Sequence, residues 1–580
     1  MSDTLIDSFS RLTLSVKNFV FLGFTETQNY PQKSDSAILS HRKVVLNAFE
    51  KYLNPIEYNH VANEYKRSET DLDSTKAAFF KGDIPDHEVP RDEHYNRAFS
   101  VIVSKFRPPE PIRPVHYADL RLYPWPLKPS AEAPFSNDKS LLALLALRNR
   151  QGFLPNAKPN FHNLFNWVFG FNRQCVHLIK KGKDNLGPNE YWPAHGFLYP
   201  INIHTKSAII GIHDPNKVRT IFGVPKLTVM VEAMFFWPLF RYYRFEQQSP
   251  LLWGYETMLG GWYKLNHELH LNPFYQGSIL SLDWSFFDGR ALFSVINDLY
   301  SDKGVKSYFE FNNGYIPTVD YPDSSTHPQK LHNLWDWMLT ALKFAPCALA
   351  DGTIWQRTVR GIASGQFTTQ FMDSIYNGLM ILTILSRMGF VIDETLPIKL
   401  LGDDSVTRLA VSIPASMHES FLIEFQRLAD YYFSHTINVK KSKISNTPHN
   451  VSVLSYANNN GLPVRSRTSL LCALLYPKSR RPTWEHLKAR AIGVYYASCG
   501  IDRTVRLICK DIFDYLDSQG IQASSAGLQD LFDPNFKSGT IPLDVFPSVE
   551  QVTTNLRSFH HLDNSDKERY FPTSHFLDTK

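Results

Sequence analysis

Apolar positions along this chain fall into short runs separated by helical stripes, with more polar stretches at both ends. The apolar run from Leu396 to Leu401 predicts a buried strand, Gly402, Asp403 and Asp404 suit a tight turn, and alternation from Ser405 to Val411 predicts a second strand. The segment reads as a β-hairpin with two adjacent carboxylates at its tip. Ile279–Leu282 predicts another strand, ending at Asp283. A stripe through Ala291, Leu292, Val295, Ile296 and Leu299 predicts a helix beginning near Asp288. Ser364 and Gly365 open a loop before a further helix, in which Thr369, Asp373 and Asn377 recur every four residues and share one face. Phe371, Met372, Ile375 and Leu379 predict that this helix is largely buried. Frequent proline between Pro108 and Pro134 predicts extended chain in place of helix. Leu141–Arg148 reads as helix, and from about Leu470 the pattern is helical and basic through Lys478, Arg480, Arg481, Lys488 and Arg490. Strand-like runs alternating with helical stripes give a mixed α/β class.

Composition narrows the function classes. With 580 residues, 43% hydrophobic and 20% charged, the chain is neither a disordered segment nor a coiled coil. The longest candidate for a membrane span, Val229–Phe240, is short and contains Glu232, so no membrane association is expected. The N-terminus has no basic segment before an apolar core, so no secretory signal is expected. The 5 cysteines lack any C-x-x-C pair and read as buried thiols of a reducing compartment. A net charge of +5 neither demands nor excludes a nucleic-acid partner. There is no G-x-x-x-x-G-K-[ST] loop, and the serine of Gly361-Ile362-Ala363-Ser364-Gly365 stands one place late for a nucleophile elbow.

Taken singly, the carboxylates are unremarkable in kind: an Asp-rich turn, a first-turn Asp288, a polar helix face. Together they change the picture. Two-metal chemistry needs carboxylates from separate strand ends converging on two Mg²⁺ ions about 3.5–4 Å apart. Asp283, Asp403 and Asp404 are the residues that could supply such a cage.

The ordered set Asp283–Asp288, Ser364–Asn377 and Gly402-Asp403-Asp404 resembles motifs A, B and C of the viral RNA-dependent RNA polymerases. Within that family the chain is most similar to the polymerases of partitiviruses, which have segmented double-stranded RNA genomes. The passages HYADLRLYPWPLKPSAEAPF, KVRTIFGVP, DWSFFD, SGQFTTQFMDSIYN, LLGDDS and LPVRS carry the narrower match, in the family's order from about residue 110 to 480.

The resemblance implies a right-hand polymerase: a mixed α+β fold with an antiparallel palm sheet packed on helices and a closed channel. Fingers would take 105–275 and 301–363, and palm 276–300 and 364–460. Thumb and C-terminal extension would take 461–580, and 1–104 would be an N-terminal extension touching fingers and thumb. Asp283, Asp403 and Asp404 would hold two Mg²⁺ (or Mn²⁺) ions. Lys217 and Arg219 would lie over the triphosphate, joined by Lys226, and Asp288 would read the ribose 2′-hydroxyl. Ser364, Gly365, Thr369, Asp373 and Asn377 would hold template and ribose. Many relatives carry Asn where Asp373 stands, so the ribose contact is shared among Asp288, Thr369 and Asn377 without a single assignment. Lys441 is the preferred general acid for pyrophosphate among the lysines of Asn438–Lys443. Val453–Tyr456 is similar to motif E, with Ser455 where glycine is usual. Arg465, Arg467, Lys478, Arg480 and Arg481 would meet RNA phosphates, unless they form only a solvated basic face. Implied partners are template RNA, nascent RNA, NTPs and a viral capsid protein, inside a virion in the host cytoplasm. A reverse transcriptase shares the palm, but Gly402 and Asp288 argue against it. A non-catalytic RNA-binding virion protein would need no ordered carboxylates on strand ends.

Overall fold

The computed structural model describes residues 17–26, 35–245, 249–269, 277–449, 451–524, 528, 541–558 and 564–577. The outer ends of both terminal extensions lie outside the described residues. At the centre is a four-stranded antiparallel sheet of β1 (Ile279–Leu282), β2 (Ile398–Leu401), β3 (Asp404–Arg408) and β4 (Lys443–Ser445), in the spatial order β2-β3-β1-β4. The predicted hairpin is β2–β3, with Leu401 paired to Asp404 across a two-residue turn. Gly402 takes φ 64° there, while nothing lies within 4 Å of a Cβ built on it, so backbone conformation and not space asks for glycine. Pairing of Ser405 with Leu282 brings the end of β1 beside the start of β3.

Four helices frame this sheet: α1 (Glu93–Phe106), α2 (Lys226–Phe245), α3 (Thr369–Arg387) and α4 (His418–Phe433). Every residue of α3 from Phe371 to Ser386 is buried, as expected for a helix apolar on nearly all sides. Asp92 caps α1 by accepting the N–H groups of His94 and Tyr95, and the stripe Tyr95, Ala98, Ile102, Val103 and Phe106 faces inward. α1 lies close against α3 because of Gly378: a Cβ there would stand 2.5 Å from Ile102 Cδ1 and 2.9 Å from Leu400 Cδ1. α2 buries Trp237, Phe235 and Phe236 in the same core.

A five-stranded sheet lies apart from the palm, in the order Phe19–Phe24, Thr353–Arg357, Cys347–Ala348, Ile201–Ser207 and Val218–Gly223. The strand carrying Arg219 is one of its edges. The helices Arg467–Leu475, Trp484–Ala497 and Arg503–Ser518 form a second core, shared with Val45, Ala48 and Phe49 of the helix Asp35–Tyr52. The N-terminal segment thus pairs with the five-stranded sheet and packs into these C-terminal helices. The chain end returns to α2: Trp237 Nε1 donates to the Tyr570 carbonyl at 3.0 Å, and Phe571 and Phe576 pack on the Trp237 ring. The order of elements and the antiparallel palm sheet are those of a right-hand polymerase.

Two local expectations need correction. The helix expected from Asp288 is broken: one turn spans Phe287–Arg290, Ala291 and Leu292 are extended, and a new helix runs Phe293–Leu299. The chain at Val359–Gly361 competes for the backbone, as Phe293 N–H donates to Val359, Gly361 N–H donates to Ala291, and Leu292 N–H donates to the Tyr376 hydroxyl. The proline-rich passage contains a 3-10 helix at Tyr117–Leu122, a stretch free of proline. Lys488 and Arg490, of the helical basic stretch, are buried, with Lys488 Nζ 2.6 Å from Asp517 Oδ1. Among the described residues all 5 cysteines are free and buried, and no helix is long and apolar enough to cross a membrane.

Candidate active site

Asp283 follows β1 directly and is exposed. Its peptide is fixed from both sides by the turn before β4. Asp283 N–H donates to Ser442 Oγ at 3.0 Å, and its carbonyl accepts the Asn438 N–H at 2.7 Å. That turn carries Lys441, which is exposed. Asp403 occupies the β2–β3 turn and Asp404 opens β3. The turn is held by α3: Ser374 Oγ accepts the Gly402 N–H at 2.8 Å, and Asn377 Nδ2 donates to the carbonyls of Gly402 at 3.0 Å and Asp403 at 2.9 Å. Asn377 Oδ1 accepts the Trp284 indole N–H at 2.9 Å, so one amide ties both strand ends to the central helix.

The carboxylates raise one another's affinity for protons. Burial, then repulsion from Asp403 and Asp283, pushes Asp404 up to about 6. Burial also raises Asp403, with Asp283 adding to it and Arg219 opposing it. Asp288 is pushed up to about 6 by burial and by Asp403, again opposed by Arg219. Asp373 is raised well above the usual range by burial, Asp288 and Asp403, and its Oδ1 has no hydrogen-bond partner among the described residues. On the cationic side, burial, Lys441, Arg219 and Lys81 lower Lys217, while Asp283 favours its charge. These mutual influences place Asp283, Asp288, Asp373, Asp403, Asp404, Arg219, Lys217 and Lys441 around one acidic centre with a basic rim.

Among the described residues, no group of three or more His, Cys, Asp or Glu side chains is drawn together closely enough to hold a metal ion. The donor set nevertheless fits a hard divalent cation: hard carboxylate oxygens from two strand ends, mutually repelling and opposed by the guanidinium of Arg219.

Other expectations meet different surroundings. Asn377 is 0% exposed with its amide committed as above, so it positions the Asp403 turn and does not face a nucleotide. Thr369 is half-buried, and its hydroxyl donates to the carbonyls of Ala363 at 2.8 Å and Gln366 at 3.2 Å, shaping the loop. Ser364 and Gly365 are exposed on that loop. Lys226 is directed to the Phe161 ring at 5.6 Å and does not join Lys217 and Arg219. Arg467 is a structural tie, with Nε 2.6 Å from Asp502 Oδ2 and Nη1 2.9 Å from Glu57 Oε1, which commits its fork to two carboxylates away from RNA. Arg465 lies over Tyr456 at 5.6 Å, Arg480 Nη2 donates to the Thr70 carbonyl at 3.0 Å, and Lys478 and Arg481 are exposed. Leu454 and Ser455 take φ 55° and 66° in a hairpin turn between Val453 and Tyr456, the conformation that glycine at Ser455 would relieve.

Two neighbours of the site escaped the sequence reading. Lys81 lies over the Phe286 ring at 5.1 Å, and an isolated lysine in the N-terminal extension gives no signal of this. Glu232 did leave a signal, a lone carboxylate in the apolar run Val229–Phe240, but it registered only as an interruption.

A model of the viral RNA-dependent RNA polymerase family matches residues 209–498, the span that holds the acidic centre and its basic rim. The RNA-directed RNA polymerase of White clover cryptic virus 1 (isolate Boccardo/2004) is 36% identical over 619 aligned residues, covering 99% of this chain and 99% of that protein. The RNA-directed RNA polymerase of Atkinsonella hypoxylon virus (isolate 2H) is 28% identical over 518 aligned residues, covering 81% of this chain and 75% of that protein. With ordered carboxylates on palm strand ends and similarity along its whole length, this chain belongs to the viral RNA-dependent RNA polymerases.

Proposed function

We propose that this polymerase transcribes and replicates a viral double-stranded RNA genome, adding residues from NTPs to an RNA 3′ end with release of pyrophosphate. The observation that supports the reading is that β1, which Asp283 follows, pairs with β3, which Asp404 opens and Asp403 precedes, while Arg219 opposes the mutual repulsion of these carboxylates. These three aspartates would hold two ions, Mg²⁺ or Mn²⁺, which when bound lower the pKa of the 3′-hydroxyl and neutralise phosphate charge. In the reaction the 3′-oxygen bonds to the α-phosphorus, the bond to the bridging oxygen breaks, and the pyrophosphate leaves. Arg219 and Lys217 draw the triphosphate to the acidic centre and offset its developing charge. Lys441, on the turn fixed to Asp283, supplies the proton to pyrophosphate. Ser364 and Gly365, exposed on the loop before α3, would meet the template and ribose, together with Asp373 of α3. Lys478, Arg480, Arg481 and Arg465 contribute salt-sensitive contacts to RNA phosphates. Resemblance to partitivirus polymerases supports a genome of double-stranded RNA, a capsid-protein partner and a place inside the virion in the host cytoplasm.

The test is extension of a defined RNA template with and without a primer, using the full chain, four NTPs and Mg²⁺. Full-length RNA product that disappears on chelation is the expected result. Absence of product with every template and ion, or product only with dNTPs, would overturn the reading. The same assay addresses Asp288, half-buried beside Asp403. Asp288→Ala should weaken rejection of dNTPs by about tenfold, the scale of one lost hydrogen bond to a charged group, while template affinity holds. Equal loss of both would make Asp288 merely a first-turn residue.

A further inference from the structure

Glu232 lies in α2 and is 0% exposed. Its Oε2 accepts the N–H of Phe367 at 2.5 Å and the N–H of Thr368 at 3.4 Å. Its Oε1 has no hydrogen-bond partner among the described residues. Phe367 and Thr368 end the loop that leads into α3, and Thr368, the residue before the first helical turn, makes no side-chain cap. Helix starts carry orphan N–H donors and a partial positive charge. Here a carboxyl from another helix meets the donors that a local Ser, Thr or Asp would ordinarily satisfy.

A second contact joins the same two segments. A Cβ on Gly365 would fall 1.9 Å from the Phe222 carbonyl oxygen, so the loop lies directly on the strand Val218–Gly223. That strand carries Arg219 and runs almost at once into α2 at Lys226. A single stretch, from Arg219 to Glu232, therefore grips the Ser364–Thr368 loop at two points, Phe222 against Gly365 and Glu232 against Phe367 and Thr368.

We propose that Glu232 is a positioning residue that fixes the Ser364–Thr368 loop against the Arg219 strand, so that the triphosphate-facing cation and the ribose- and template-facing loop are set as one unit. The inference rests on the polymerase reading for its catalytic consequence, but the clasp itself has an independent readout. Burial pushes the Glu232 carboxyl up to about 8, so at neutral pH an amide should replace it with little loss.

Amide hydrogen exchange in the full-length wild-type chain should show Phe367 protected at least about a hundredfold over Gly365, the scale expected of a buried bonded N–H against an exposed loop amide. Equally fast exchange at both would overturn the proposal without any variant. Glu232→Gln keeps an acceptor oxygen and should stay within about twofold of wild type in exchange, kcat and KM. Glu232→Leu fills the space without an acceptor. It should speed exchange at Phe367 and Thr368 by about tenfold and raise the NTP KM similarly, with β1 and β3 protection and RNA affinity unchanged. Wild-type loop exchange in the Leu variant, or a Gln variant as defective as Leu, would overturn the proposal. The exchange pattern with no RNA synthesis by the wild-type chain would overturn the polymerase reading and leave the clasp standing.

Discussion

Replacing Asp403 and Asp404 together by Asn abolishes nucleotide addition while RNA affinity stays within a few-fold of wild type. Both carboxylates lie where β2 turns into β3, and Asp283 lies beside them at the end of β1. An amide keeps the size and the turn but donates poorly to a hard cation, so the chemistry goes while the fold stays. Stability offers an independent check. Burial and mutual repulsion hold the folded pKa of Asp404 at about 6, above the ordinary carboxylate value, and Asp403 shifts in the same direction. A carboxyl raised on folding contributes its stability below the unfolded pKa and loses it as pH rises through the folded value. At pH 7 the ion-free pair therefore weakens the fold, and the double variant should melt no lower than wild type. Adding Mg²⁺ should raise the wild-type melting temperature and leave the variant's unchanged, because only a state that binds the ion gains from it. Extension assays with calorimetry, with and without Mg²⁺, read both effects. RNA synthesis by the double variant would refute the metal assignment.

Asn377→Leu carries the second large effect, for a different reason. The wild-type amide, itself buried, satisfies the Trp284 N–H and the carbonyls of Gly402 and Asp403. Leucine has the same branched heavy-atom skeleton and leaves all three groups without that partner. A buried group left unmet costs about 1–3 kcal/mol, and with the part-buried carbonyls adding less than the Trp284 N–H the loss is on the order of 3 kcal/mol. The urea midpoint should fall with an unchanged slope. Nucleotide addition should drop by at least about tenfold at temperatures where the variant remains folded, since a tilt of the Asp403 turn misplaces a reacting-site carboxylate. Normal stability with altered dNTP rejection would instead put Asn377 at the ribose.

That contrast shows where the sequence was legible. The β2–β3 hairpin was readable because its information is local: an apolar run, a glycine suited to left-handed φ and polar turn residues stand together. The spacing of Thr369, Asp373 and Asn377 identified a shared helix face correctly, but periodicity does not tell what the face meets. Here it meets the motif C turn at Asn377 and the approaching loop at Thr369, so hydrogen bonds that could reach a ribose are used within the protein. The break after Arg290 was hidden for the same reason, since Ala291 and Leu292 fit a helical stripe until a distant segment at 359–361 claims their backbone. Long-range charge pairing misled most at Arg467, where a basic residue opening a helix resembles an RNA contact but its partners, Glu57 and Asp502, lie in other segments.

The return of the chain end to α2 also bears on the order in which the molecule is made. Trp237 waits for the carbonyl of Tyr570 and the rings of Phe571 and Phe576, and the first of these is 333 residues away. During synthesis the palm strands and α3 emerge before residues 570–576, so this face of α2 is still bare when they do. A growing polypeptide on the ribosome therefore holds its acidic centre before the cover over Trp237 arrives, and that face closes only once Tyr570, Phe571 and Phe576 have been made.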